Sequence, residues 1–548
     1  MKEIIESYKL PLISKELLNF CYWLSNWYMS DLSQVLKMVI PAANFLSIVK
    51  GKTILKINNK SNMATTVLGK KVLDHLKKNP SLTLRECSKE VKVSYAVIKK
   101  LILDQVLLTD SYNEIKNNKI IKENIPKLNQ HQLDAVKTIK NLASKKHNNI
   151  FLLDGVTGSG KTEIYLDLIS DEIKYGRQSL VLLPEIALSK QFIDRFEKRF
   201  NFIPAIWHSA IPNKEKRITW QKVINGEIKI VIGARSALFL PFSSLSLIVV
   251  DEEHDTSYKQ EDGIIYNARD MAVVRGNLSN AKVILASATP SLESVHNANI
   301  GKYYRIGLPE RFGLAVMPRI KIIDMRKEKL SSNQWIAHES KEAIKKALNE
   351  KEQVLLYINR RGFAPLTLCR SCGYRFQCIN CSSWLVNHKV INKMLCHYCG
   401  YKEDIEDECP NCESKKEFAP CGPGVERLAA EAKTLFPAAR LKIIASDTVD
   451  YSSKTENIFN TIALGNVDII VGTQLVAKGH HFPNLTTVIA IDADIGLSGG
   501  DLRASERTFQ MLTQLTGRAG REKKKGYAYI QSYDPKHSVM EAMQTGSI

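Results

Sequence analysis

The run Gly155-Val156-Thr157-Gly158-Ser159-Gly160-Lys161-Thr162 has the spacing G-x-x-x-x-G-K-T, which suits the handling of nucleotide phosphates. Gly155, Gly158 and Gly160 let backbone N–H groups turn inward around phosphate oxygens, Lys161 reaches the outer phosphates and Thr162 ligates magnesium. The loop follows the apolar run 150–153 and precedes a helical run, whose positive N-terminal end adds to the attraction. Asp251-Glu252-Glu253-His254 closes a second apolar run, 247–250. Asp251 is expected to take the metal and Glu252 to orient the attacking water. Gln132, just ahead of the first run, is placed to offer its amide to an adenine edge. Far downstream, Gln514-Leu515-Thr516-Gly517-Arg518-Ala519-Gly520-Arg521 carries two arginines. Delivered across a cleft by an opposing lobe, Arg518 and Arg521 would neutralise charge on the transferring phosphoryl group and make hydrolysis depend on lobe closure. ATP and Mg²⁺ are the cofactors these residues imply.

A second chemistry lies in the cysteines. Of eleven, eight form four C-x-x-C pairs: Cys369 and Cys372, Cys378 and Cys381, Cys396 and Cys399, Cys409 and Cys412. Each pair can place two sulfurs about 2.3 Å from one Zn²⁺, so eight thiolates make two closed tetrahedral sites with no open position for water. Short polar segments need such clips to stay folded. His388 and His397 are spare nitrogen ligands, an iron–sulfur cluster is the competing use, and spacing leaves open which pairs share an ion. Thiols used this way belong to a reducing compartment, and the cytoplasm is the expected location.

Behind these residues stand 548 residues, 44% of them hydrophobic, which excludes a mainly disordered chain, and their net charge of +20 favours a polyanionic partner such as nucleic acid. No apolar window reaches the roughly 20 residues of a membrane span. The acidic residues in Met1-Lys2-Glu3-Ile4-Ile5-Glu6 do not fit an export signal. The pattern predicts an α/β protein: two RecA-like phosphate-loop motor lobes, a winged-helix domain and an inserted two-zinc cysteine module. The expected divisions are 1–45, a helical linker; 46–123, the winged helix; 124–330, the first lobe; 331–365 and 416–548, the second lobe; and 366–415, the zinc insertion. Strands are expected at 150–153, 179–183, 228–232, 247–250, 283–285, 353–357, 469–471, 488–491 and 527–531. In the linker, Trp23, Trp27 and Tyr28 are expected to pack against a neighbouring domain. In the winged helix, Lys99 and Lys100 on the third helix are available to DNA phosphates. After the acidic cluster, Tyr258 and Tyr266 interleave with Lys259 and Arg269, a pattern that suits stacking and phosphate contact with single-stranded DNA. Core tyrosines are the alternative.

The chain resembles superfamily 2 helicases and, more closely, the PriA family of primosomal replication-restart helicases. The likeness is carried by residues 182–188, 233–239, 287–294, 472–474 and 478–480, together with Asp251-Glu252-Glu253-His254 and the tyrosine loop behind it. It implies an ATP-dependent 3′–5′ DNA helicase that recognises stalled or abandoned forks and restarts replication by primosome assembly. It also implies forked and single-stranded DNA, primosome proteins and single-stranded DNA-binding protein as partners, with no membrane. A nested zinc arrangement is implied too, the outer cysteine pairs sharing one ion and the inner pairs the other. The family also has a domain before the linker that captures a 3′ end, and another after the second lobe. Here the sequence opens in the linker and stops at Ile548. Fork binding is therefore expected to be salt-sensitive and blind to the chemistry of the 3′ end. A fork-binding scaffold with weak or absent ATPase is the alternative function.

Overall fold

The computed structural model describes residues 11–46, 52–58, 66–79, 82–112, 127–144, 149–184, 190–313, 316–331, 334–359, 366–369, 371–380, 385–388, 393–396, 399–404, 408–415, 418–421, 424–444, 453–473, 482–497, 501–520 and 524–546. Glu185 to Leu188, Cys381, His397, residues 474–480 and Arg521 lie outside them, as does the side chain of His388.

Runs of four to seven apolar residues with no polar face can only be satisfied by burial on both sides, and that is where the long runs go. The first sheet is parallel, in the order Tyr304–Leu308, Ile150–Gly155, Lys282–Ser287, Leu245–Asp251, Gln178–Leu182, Ile230–Gly233, Ala205–Trp207. One face packs Ile164, Tyr165, Leu168, Ile169, Phe196 and Phe200; the other packs Trp220, Phe239, Met271 and the amino-terminal helices Lys15–Trp27 and Leu32–Val39. Trp220 Nε1 donates to the carbonyl of Val39 at 2.8 Å and Gln221 Nε2 to that of Phe45 at 2.9 Å, so the linker is tied to this lobe by polar contacts as well as by its core. Trp27 departs from expectation: it is 66% exposed and stacks on Trp23 at 5.1 Å instead of entering the core. Phe20, Cys21 and Leu24 form the buried stripe of that helix, and Trp27 lies beyond it.

The second sheet is also parallel, ordered Arg319–Asp324, Tyr527–Ser532, Leu485–Ile491, Gln353–Ile358, Ile469–Gly472, Leu441–Ile444. Its edge strand Arg319–Asp324 falls inside the division assigned to the first lobe from sequence, so the chain crosses between lobes before residue 319 and not at 330. Alternating charges in Arg-Ile-Lys-Ile-Ile-Asp mark an edge strand without saying of which sheet. The cysteine-rich insertion is an antiparallel sheet, ordered Lys402–Asp404, Lys393–Cys396, Leu385–His388, Leu366–Cys369, Phe418–Cys421. Phe418–Cys421 pairs with Leu366–Cys369, so the insertion runs past the expected end at 415. The small unit near the amino terminus has helices Val67–Lys78, Leu84–Val91 and Tyr95–Leu103 around Leu55, Val72, Cys87, Ile98 and Leu107. Its wing, Leu107–Tyr112, pairs antiparallel with Lys52–Ile57, a strand absent from the sequence reading.

Candidate active site and metal centres

Ile150–Gly155 delivers the chain into the phosphate loop and the helix Lys161–Lys174 takes it away. Gly158 and Gly160 sit at φ +84° and +82°, where a side chain is strained. Gly155 has no room for one, since a Cβ there would lie 2.6 Å from Ser159 Oγ. Lys161 donates from Nζ to the carbonyls of Gly155 at 2.6 Å and Val156 at 3.4 Å, which holds the ammonium inside the loop that phosphates would enter. Thr162 opens the same helix, half-buried. These residues fit a nucleotide's phosphates and its Mg²⁺.

Gln132, expected to offer its amide to an adenine, hydrogen-bonds within the protein here. Its amide is buried, Nε2 donating to Ser159 O at 2.8 Å and Oε1 accepting from Asn129 N at 3.0 Å. A buried amide must find partners at both ends, and here the phosphate loop and its own helix start provide them.

Asp251 ends the strand Leu245–Asp251, which the strand Lys282–Ser287 separates from the phosphate loop's own. Its carboxylate accepts from Tyr165 Oη at 2.9 Å and from Glu252 N at 3.0 Å. Burial, and next the Glu252 carboxylate, push the Asp251 carboxyl up to about 6, with Lys161 pulling the other way. A divalent cation at this position would reverse that balance. Glu252 sits at φ +50°, a left-handed conformation uncommon for a non-glycine residue, which turns the next two side chains in different directions. Glu253 points back into the lobe, accepting from Ser291 N at 2.7 Å, Ser291 Oγ at 3.0 Å and Ser294 Oγ at 2.9 Å. His254 points toward the second lobe. Gln514 Nε2 lies 2.6 Å from His254 Nε2 and 3.4 Å from Glu252 Oε2, while His254 Nδ1 lies 2.6 Å from Ser287 Oγ. With the Gln514 amide donating, His254 carries its proton on Nδ1 and gives it to Ser287.

Gln514 belongs to the helix Ala504–Thr516, which leads into the loop bearing Arg518. Gly517 in that loop lies against the phosphate loop, where a Cβ would meet Thr157 Oγ1 at 2.1 Å. The second lobe's arginine-bearing loop is therefore in contact with the first lobe's phosphate loop. His254 and Arg311 reach across this seam, with Ser287 behind His254 and Tyr165 behind Asp251; sequence reasoning placed His254 and Ser287 inside motifs but gave none of the four a role. Their signal was weak because each is one ordinary polar residue whose partner lies tens to hundreds of positions away.

The loop expected to stack on DNA is mostly buried. Tyr258 and Tyr266 are 1% and 2% exposed and belong to the first lobe's core. The Tyr258 hydroxyl lies 2.6 Å from Asp251 O and 3.0 Å from Leu182 O, and Tyr266 meets Phe239 edge-on at 5.4 Å. Arg269 is buried too, donating to Ser291 Oγ at 2.6 Å and Asp270 Oδ1 at 2.7 Å. Aromatic faces spent on a core cannot stack on bases. Lys259 alone of the four is exposed, and Lys99 and Lys100 are exposed on the helix Tyr95–Leu103.

In the insertion, the sulfurs of Cys369, Cys372, Cys409 and Cys412 gather within 4.8 Å of one another, and those of Cys378, Cys396 and Cys399 form a second group. Separations of 3.6 Å for Cys369–Cys412, 3.6 Å for Cys372–Cys409 and 3.3 Å for Cys378–Cys399 are near the roughly 3.8 Å edge of a tetrahedral zinc thiolate site. Three of the pairs share one turn: Cys369, Cys396 and Cys409 each accept on C=O from the residue four ahead, and Gly373, Gly400 and Glu413 there all have positive φ. Such repeated knuckles aim two sulfurs at one point, and the donor set fits two Zn²⁺. Arg375 docks the module on the second lobe, its buried Nη2 lying 2.6 Å from Asp492 and 3.5 Å from Asp494.

Two parallel-sheet lobes, one bearing a phosphate loop and the other laying an arginine-bearing loop on it, define a two-lobed helicase motor. Residues 129–298 match the DEAD/DEAH box helicase family, 426–523 the helicase conserved C-terminal domain, and 378–403 the PriA DNA helicase Cys-rich region. The chain is 43% identical over 541 residues to replication restart protein PriA of Rickettsia conorii, covering 98% of this chain and 73% of that one. It is 36% identical to the protein of the same name from Haemophilus influenzae, covering 99% and 76%, and 38% identical to that of Bacillus subtilis, covering 84% and 58%. The chain belongs to the PriA family of replication restart proteins.

Proposed function

We propose that this chain is an ATP-hydrolysing DNA helicase of replication restart, built as a winged DNA-binding unit, two motor lobes and a two-zinc insertion. The observation that carries the reading is the contact of Gly517 with Thr157, which brings the arginine-bearing loop of one lobe to the phosphate loop of the other. Lys161 and the loop glycines would hold the phosphates, and Thr162 and Asp251 would hold a magnesium ion, whose charge would offset that on the transferring phosphoryl group. Glu252 orients the attacking water, Arg518 and Arg521 approach from the second lobe, and His254 with Gln514 senses whether the lobes are together.

DNA is tracked with 3′–5′ polarity across exposed lysines, Lys259 on the first lobe and Lys99 and Lys100 on the winged unit, in the cytoplasm. Among the described residues no helix is long and apolar enough to cross a membrane. Primosome proteins and single-stranded DNA-binding protein are the proposed partners. No observation favours the scaffold alternative. Phosphate release with and without forked DNA is the test: wild-type turnover should rise with DNA and Lys161→Ala should show none, while a chain that binds forks without turnover would return the scaffold reading.

A further inference from the structure

Arg311 has no place in the nucleotide chemistry described above, yet it is 6% exposed at the point where the lobes meet. It follows the strand Tyr304–Leu308 of the first lobe. Its Nη2 donates to Gly517 O at 2.9 Å, and Nη1 lies within reach of Ala519 O at 3.1 Å, Gly520 O at 3.0 Å and Val316 O at 3.2 Å. Three of these four carbonyls belong to the loop that follows the helix Ala504–Thr516. A helix leaves its last carbonyls unsatisfied and its C-terminal end negative, so a cation there acts as a cap. In this chain the cation at the end of a second-lobe helix comes from the first lobe, taking the carbonyl of the C-cap residue Gly517 and those of Ala519 and Gly520 in the loop beyond it.

The same arginine is fixed to the phosphate loop from its own side. Phe312 N donates to Gly158 O at 2.9 Å, Val156 N donates to Leu308 O at 3.1 Å, and Arg311 Nη2 lies 3.5 Å from Thr157 Oγ1. Separating the lobes would strip a buried guanidinium of three acceptors at once, which is costly in a dry site. We infer that Arg311 is a positioning residue for hydrolysis: it holds the loop carrying Arg518 in register with the phosphate loop without itself touching the nucleotide. This rests on the reading of Arg518 and Arg521 as the arginines delivered to the phosphates.

The test compares full-length Arg311→Ala, Arg311→Lys and Arg521→Ala. Arg311→Ala should lower kcat of DNA-stimulated ATP hydrolysis by about ten- to a hundredfold, as a small misplacement of a catalytic group does. KM for ATP should stay within about twofold, because no ground-state contact is lost. Arg311→Lys should recover part of kcat, since an ammonium donates to carbonyls but cannot fan across several. Without nucleotide, amide exchange in the peptide covering 512–520 should quicken in Arg311→Ala while that of 150–154 stays slow. Should Arg311→Ala fail to fold, Gly517→Ala replaces it, because the added methyl would meet Thr157 and push the two loops apart; it should lower kcat likewise. Wild-type kcat in Arg311→Ala with none in Arg521→Ala overturns the inference and leaves the arginine reading standing. Wild-type kcat in both overturns the inference and removes Arg521 from the arginine reading, and a rise in KM with unchanged kcat makes Arg311 a nucleotide-binding residue and overturns the positioning role.

Discussion

The phosphate loop and the cysteine module are both built from short loops that hold positive-φ residues beside their ligating side chains, but they are held in opposite ways. The phosphate loop is strung between a strand buried at every position but Asp154 and a helix with nine buried residues, and Gln132 and Leu308 brace it by hydrogen bonds. Its shape comes from the lobe, and its ligand-binding groups are already satisfied by the protein. The cysteine module has a core of Phe376, Cys378, Leu385, Met394 and Cys396, so two of its five buried core residues are themselves ligands. A core that small does not offset the entropy of ordering the segment, and the metal must do so. One site is therefore a fold that accepts a ligand; the other is a ligand set that becomes a fold when metal binds.

Five experiments test that contrast. The largest effect is expected from stripping zinc with a strong chelator, since structural zinc is worth on the order of 10 kcal/mol of folding free energy. Proteolysis should then cut inside residues 366–421 while DNA-independent ATPase persists. Elemental analysis should give about two zinc per chain beforehand and about one for Cys369→Ser. Loss of ATPase together with the module would show that the two regions fold as one.

Next is Lys161→Ala, which should lower turnover about a thousandfold, roughly 4 kcal/mol, with the thermal midpoint and zinc content unchanged. A large fall in the midpoint would mean that the phosphate loop, too, depends on its ligating residue for its fold.

Arg375→Ala is third. It leaves Asp492 and the buried Asp494 without their cation, which should cost about 3 kcal/mol in chemical denaturation. Zinc content should stay at its wild-type value, because Arg375 touches the motor and not the sulfurs.

Smaller again is Tyr258→Phe, which removes a buried hydroxyl from Asp251 O and Leu182 O and should cost about 1 kcal/mol. Affinity for single-stranded DNA, measured by fluorescence anisotropy, should not change; a clear loss would restore Tyr258 as a DNA contact. The smallest effect is expected from Lys99→Ala with Lys100→Ala. Binding should weaken uniformly across sequences and the slope of log affinity against log salt should fall by about 1 to 2. An unchanged slope would remove the winged unit from the DNA path.

What the sequence alone determined is whatever a contiguous run of residue types settles. Gly155 to Thr162 specifies its chemistry because only glycines permit those backbone angles and only Lys161 and Thr162 supply those groups. The same holds for Asp251 and Glu252 at the end of an apolar strand, and for four C-x-x-C pairs whose thiolates have few other uses. The parallel sheets were legible for the same reason, since Leu247 to Val250 can only be buried. Tertiary structure decided everything that depends on a distant partner or on burial: that Cys369 and Cys372 share a site with Cys409 and Cys412, and that Arg319–Asp324 joins the second sheet. It decided also that Gln132 braces the phosphate loop, that Tyr258, Tyr266 and Arg269 lie in a core, and that Arg311 holds a loop about two hundred residues away in the chain. A tyrosine a few positions from Lys259 or Arg269 looks the same in sequence whether its ring faces solvent or a phenylalanine. Packing against Phe239, a partner nearly thirty residues distant from Tyr266, is what settles it.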